Sequence, residues 1–157
     1  MIKMKIAEDI ILTENLFNLE KSIKVHRRCA HKIKKGACYH NVFYVSSEFA
    51  GEFSTLDWKI AYGYFSTFGN IQIRHCYILD AHNEVIDPTY IELHGEEPED
   101  IPTYHTLETF NFNQYLSKLS KYSGDPSLRK YFAKRQQQII MWGLEQEPRY
   151  AFLDDNF

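Results

Sequence analysis

Three residues of this chain have the types and the order that thiol chemistry needs: Cys38 directly after Gly36-Ala37, His75 inside an alternating apolar segment, and Asp87 just before Pro88. A thiol becomes a nucleophile when its proton is drawn off. The start of a helix and a neighbouring imidazole both favour this, and a third group must hold the imidazole in place. Cys38, His75 and Asp87 would supply nucleophile, base and orienting carboxylate, the division of labour of a catalytic triad. The donor for a developing oxyanion is left open between the Cys38 backbone N–H, the Asn41 side chain and a residue of the basic stretch before Cys38. Tyr39, Tyr62, Tyr64 and Tyr77 fall on the elements that would surround the three residues, where they either line a substrate groove or fill the core.

Each of these residues also has a purely structural use. A free cysteine is often a small buried hydrophobe, a histidine on an apolar strand is often a satisfied core residue, and an aspartate before proline often bonds its own turn. Cys29 and His31, Cys38 and His40, and the adjacent His75-Cys76 offer nitrogen and sulfur ligands. Structural zinc sites space their paired ligands two to four residues apart, so no metal site is expected from pairs this close. Cys76 alternates to the face opposite His75 and is expected to pack behind the sheet, whereas Cys29, beside Arg27 and Arg28, is expected to be a solvated surface thiol.

The elements that must position these residues follow from periodicity and turn chemistry. Ile10, Ile11, Leu16, Leu19 and Ile23 recur at spacings of up to five, with Thr13 and Glu14 at hand for a start, which predicts a helix over about residues 13–25. Residues 26–35 are strongly basic and end at Gly36, a pattern expected of an exposed connection that is either simply solvated or attractive to an anionic substrate. Cys38, Asn41, Val42 and Val45 stack on one helical face, so a helix is expected to open at or next to Cys38, with a strand as the alternative that the β-branched residues allow. Residues 58–65 and 71–79 read as strands joined by a turn at Gly69-Asn70, and Val85 to Asp87 as a short strand stopped by Pro88, giving a three-stranded antiparallel meander. Pairing Asp80 with Glu84 puts Leu79 opposite Val85 and Tyr77 opposite Asp87, so that Asp87 shares a face with His75; a slip of one residue would part them. Residues 95–102 are acidic and proline-bearing, a solvated loop. Residues 113–120 and 126–144 read as helices, the second announced by Asp125-Pro126.

With 157 residues, 44% of them hydrophobic and 15% aromatic, the chain can bury one core of its own. Eighteen Lys and Arg against 21 Asp and Glu leave a net charge of −3, which argues against a nucleic-acid partner except through a local patch. The three cysteines are an odd number without a signal peptide before them, so a reducing, cytoplasmic setting and free thiols are expected. No apolar run is long enough to cross a membrane, and solubility is expected.

The segments Gly36-Ala37-Cys38-Tyr39-His40-Asn41, Ala61-Tyr62-Gly63-Tyr64, Arg74-His75-Cys76-Tyr77 and Val85-Ile86-Asp87-Pro88-Thr89 resemble the transglutaminase-like and papain-like cysteine superfamily over residues 36–90. The resemblance implies an α+β fold in which a nucleophile helix packs on an antiparallel sheet, here with additional N- and C-terminal helices in one domain spanning 1–157. It implies Cys38 as nucleophile, His75 as base and Asp87 as orienting residue. Tyr39 and Tyr77 stand where this superfamily often carries tryptophan, and no glutamine comes shortly before Cys38. The implied activity is thiol-dependent acyl transfer or hydrolysis on a protein, peptide or small amide, as in proteases, amidases, deamidases and transglutaminases, without a cofactor. Such a protein acts in its host's cytoplasm or is delivered into another cell as an effector. The alternative is a catalytically inactive member that binds a protein or peptide.

Overall fold

The computed structural model describes residues 2–67, 70–147 and 150–154. It is a mixed α+β fold around one curled, mostly antiparallel sheet. The chain opens with a hairpin, β1 (Lys3–Ala7) and β2 (Ile10–Asn15), whose second strand takes residues 13–15 of the helix expected over 13–25. The reason is visible in burial: Ile10 and Leu12 are buried with the exposed Ile11 between them, a period of two, and Leu16 stands 71% exposed. The helix α1 (Leu19–Cys29) begins later, capped by Asn18, whose side chain accepts the Lys21 N–H at 2.9 Å.

The basic stretch therefore divides. Its first residues form the last turn of α1, and Cys29 is fully buried rather than solvated. The helix α2 (Cys38–Glu48) starts at the predicted residue and is followed by the short α3 (Ala50–Thr55). Strands β3 (Lys59–Ser66), β4 (Ile71–Leu79) and β5 (Val85–Ile86) form the expected meander, with Leu79 opposite Val85 and the Asp80 N–H donating to the Glu84 carbonyl. Gly69 of the expected turn lies outside the described residues. Asp87 is not a strand residue: it is the N-cap of α4 (Pro88–His94), with Pro88 in the first turn, where proline costs no hydrogen bond.

Residues 95–102 are irregular, as expected of that loop, and β6 (Thr103–Phe110), which the sequence reading passed over, runs between β2 and β3. Helices α5 (Phe112–Lys121) and α6 (Arg129–Glu145) follow. The latter starts at Arg129 rather than Pro126, because Leu128 adopts a left-handed conformation that breaks the turn. A last strand, β7 (Ala151–Leu153), pairs in parallel with the start of β4. The strand order is β1-β2-β6-β3-β4-β5, with β7 on β4 beyond the end of β5.

The main core lies between α2 and one sheet face, where Val42, Val45 and Phe49 meet Ile60, Tyr62, Cys76 and Ile78. Cys76 thus packs where strand alternation puts it. On the other face Ala61, Tyr77, Leu79, Val85 and Tyr104 form a second cluster. Gly63 sits opposite His75 in the β3–β4 register, and a Cβ there would lie 2.2 Å from the His105 carbonyl oxygen and 2.9 Å from Tyr77 Oη. Its missing side chain lets the tyrosine lie across β3 beside the imidazole.

Candidate active site

Three elements deliver the three chemical groups. Cys38 is the first residue of α2, and the preceding Gly36 has φ +70°, a conformation that suits glycine and turns the chain into the helix. Asn41 holds this entry: its Oδ1 accepts the Lys34 N–H at 3.0 Å, and its Nδ2 donates to the Lys34 carbonyl at 2.8 Å and to Thr89 Oγ1 at 2.9 Å. Both amide protons of Asn41 are thus committed, so this side chain ties α2 to α4 and to the preceding loop instead of offering a donor to an oxyanion. Ala37 carries no capping side chain, which leaves the backbone N–H groups of the first turn of α2 as the donors nearest the thiol.

His75 lies in a gap along β4, between the stretch paired with β7 (Ile71 to Ile73) and the stretch paired with β5 (Ile78 and Leu79). Among the described residues no strand covers that edge, which leaves room beside the ring for the first residue of α2. The imidazole is hydrogen-bonded on both sides: Nε2 donates to Asp87 Oδ2 at 2.6 Å, and Cys38 bonds the ring as well. With Nε2 committed, Nδ1 is the nitrogen that remains for the thiol. Burial by itself would push the His75 pKa down, but the charge of Asp87, the neighbouring Cys38 and the hydrogen bonds to both outweigh it and push it up to about 10.

Asp87 is fully buried and its carboxylate is saturated with donors. Besides His75, Oδ2 accepts the Tyr104 hydroxyl at 2.7 Å, while Oδ1 accepts the Tyr90 N–H at 3.3 Å in the first turn of α4. The Asp87 N–H in turn donates to Ser22 Oγ at 2.9 Å, which fixes the backbone against α1. Burial, followed by the Asp87 charge and its hydrogen bond, holds the Tyr104 phenol well above its ordinary pKa, so it remains a donor.

Sequence reasoning missed Tyr104 and Ser22, because each reaches Asp87 from an element distant in the chain. The alternation of Tyr104, Thr106 and Glu108 against His105 and Leu107 was the available signal for β6. The ring of His75 is walled by Phe65 at 4.2 Å, Tyr77 at 5.9 Å and Tyr104 at 6.3 Å between centroids.

The four tyrosines named as possible groove residues all fill the core. Tyr39 stacks on Tyr62 at 6.2 Å, and the Tyr62 hydroxyl donates to the Pro126 carbonyl at 2.6 Å. Tyr64 packs against Phe152, and Tyr77 bonds Thr106 Oγ1 at 2.6 Å. Among the described residues no three His, Cys, Asp or Glu side chains are grouped so that they could hold a metal ion.

Cys38 is 4% and His75 5% exposed, so the pair lies just beneath the surface. Arg74, the neighbour of His75, is buried on the α2 side. Its guanidinium stacks on Tyr39 at 5.0 Å and donates to the Ser127 carbonyl, with Nη1 left unbonded. Comparison with protein-family models, with curated proteins and with solved structures finds no match.

Proposed function

We propose that this protein is a thiol enzyme of the papain-like and transglutaminase-like kind, acting by acyl transfer or hydrolysis through Cys38, His75 and Asp87. The observation that carries this reading is the imidazole bonded at once to Asp87, at 2.6 Å, and to the cysteine that opens a helix. An imidazole held protonated to about pH 10 carries the proton that a leaving group needs. Cys38 Sγ attacks the carbonyl carbon of an amide, and the electron pair of the C=O moves to oxygen beside the first-turn N–H groups of α2. On collapse the C–N bond breaks and His75 gives its proton to the leaving amine. Water, or an amine in a transfer reaction, then attacks the thioester while His75 takes the incoming proton, and the thiolate is released. Asp87 keeps Nδ1 aimed at sulfur throughout.

The test is the rate of Cys38 alkylation by iodoacetamide between pH 5 and 9, read by peptide mapping on the folded protein, with Cys29 and Cys76 as internal references. The expected result is that Cys38 reacts at pH 6 at least about tenfold faster than either reference, and that His75→Ala removes the difference. A Cys38 that reacts no faster than Cys29 and Cys76 overturns the reading. The low exposure of both reacting residues and the packed tyrosines favour a second reading, a binding module of the same fold. It expects an inert thiol and binding of a protein or peptide that survives Cys38→Ala.

A further inference from the structure

The basic segment before Cys38 is neutralised in its first half only. His26 pairs with Glu92 at 3.1 Å, Arg27 with Glu96, and Arg28 with Glu52 at 3.8 Å. Beyond Cys29 the pattern stops: among the described residues no carboxylate lies within ion-pair distance of Lys32, Lys34 or Lys35. Two of the three, Lys32 and Lys34, line a cavity of about 370 Å³ together with Ala37, His40, Asn41 and Tyr44. Ala37 is the residue immediately before the thiol, so the wall of the cavity runs into the start of α2. A second cavity, of about 520 Å³, lies on the Asp87 side of the site beyond Tyr90 and has the opposite sign, with Glu97, Glu99 and Asp100 in its wall. An anionic group is therefore attracted on the Cys38 side and repelled on the other.

Resting on the reading of Cys38 as a nucleophile, we propose that the cavity beside α2 is a subsite for a carboxylate carried by the acyl substrate, held by Lys32 and Lys34. Concentration of charge in a concave wall that has no counter-ion of its own is the arrangement that raises the local concentration of an anion and orients it on arrival. Asn41 contributes by fixing the Lys34 backbone at both its N–H and its carbonyl, so the wall is held rather than left to a mobile loop.

The test compares alkylation of Cys38 by iodoacetate and by iodoacetamide at pH 7, which differ in charge and little in size. The expected iodoacetate-to-iodoacetamide rate ratio is at least about fivefold higher in the folded protein than for the same cysteine unfolded in urea. It is expected to fall at least threefold in the double variant Lys32→Gln/Lys34→Gln and to stay unchanged in Lys130→Gln, an exposed lysine on α6. A Glu-containing acetylated hexapeptide is expected to protect Cys38 where its Gln counterpart does not, and N-acetylglutamate in the same assay distinguishes a small acid from a peptide as the source of the carboxylate. Fast alkylation with a ratio that the double variant leaves unchanged overturns the subsite alone. A Cys38 inert to both reagents overturns the nucleophile and the subsite together.

Discussion

At the scale of single residues, the site depends on how Asp87 is satisfied. A buried carboxylate is tolerated when donors surround it, and here His75, Tyr104 and the Tyr90 N–H do so. Tyr104→Phe removes one donor to a charged group without changing shape, and is expected to cost about 1.5–3 kcal/mol in urea denaturation while the Cys38 alkylation rate stays that of the parent protein. The same geometry sets a pH dependence. The His75 pKa is raised in the folded state, from 6.5 to about 10, so its stabilising contribution is fully present below pH 6.5 and is lost as pH rises through about 10. In the proposed reaction the proton that His75 would give to a leaving group disappears over the same upper range. Acyl transfer by this pair is therefore expected to decline near pH 10, and a decline centred near 6.5 in an initial-rate pH profile would contradict the ion-pair geometry.

At the scale of elements, the turn between β4 and β5 sets the register that brings His75 and Asp87 to one side. Asp80 holds that turn, accepting the His82 and Glu84 N–H groups at 2.9 Å each and pairing with Lys21 of α1. Burial alone would raise the Asp80 pKa, but the Lys21 and backbone hydrogen bonds hold it below the ordinary value of 3.8. Its contribution is thus present above pH 3.8 and lost as pH falls through the lower folded value. Asp80→Asn is expected to destabilise the protein by about 1–2 kcal/mol at pH 7, and by less in acid, where the parent's aspartate is itself protonated. Equal losses at pH 7 and pH 3, measured by urea unfolding, would show that the charge has no part in holding the turn.

At the scale of the whole molecule, the C-terminal part is bound into the same body as the site. The strand β7 pairs with β4 only two residues before His75, and Phe152 is 4% exposed between Tyr64 at 5.1 Å and Trp142 at 6.2 Å. Gly143 of α6 has no Cβ where one would stand 2.8 Å from the Phe152 ring, so the helix and the strand close on each other at that point. Phe152→Ala is expected to cost about 3–5 kcal/mol, read as an earlier single transition in circular dichroism and in tryptophan fluorescence together. Two separated transitions in the parent protein would mean that α6 and β7 form a unit apart from the sheet.

The start of α2 at Cys38, the full extent of β4 and the Leu79–Val85 register were legible in the sequence. They are governed by contacts within one helical turn, one strand pleat or one tight turn, which spacing and turn residues encode directly. The placement of β6 between β2 and β3 was not legible, nor was the reach of Tyr104 and Ser22 to Asp87. Those depend on which distant segments pair, and many segments of similar composition could compete for the same sheet position. For the same reason the sequence listed Tyr39, Tyr62, Tyr64, Tyr77 and Asn41 as neighbours of the chemistry, whereas only the tertiary packing turned the tyrosines into core and Asn41 into a clamp. Chain order set the sequence of thiol, imidazole and carboxylate; long-range pairing across the sheet edge set the distances between them, because no local rule fixes how far a helix start lies from a strand formed some 35 residues later.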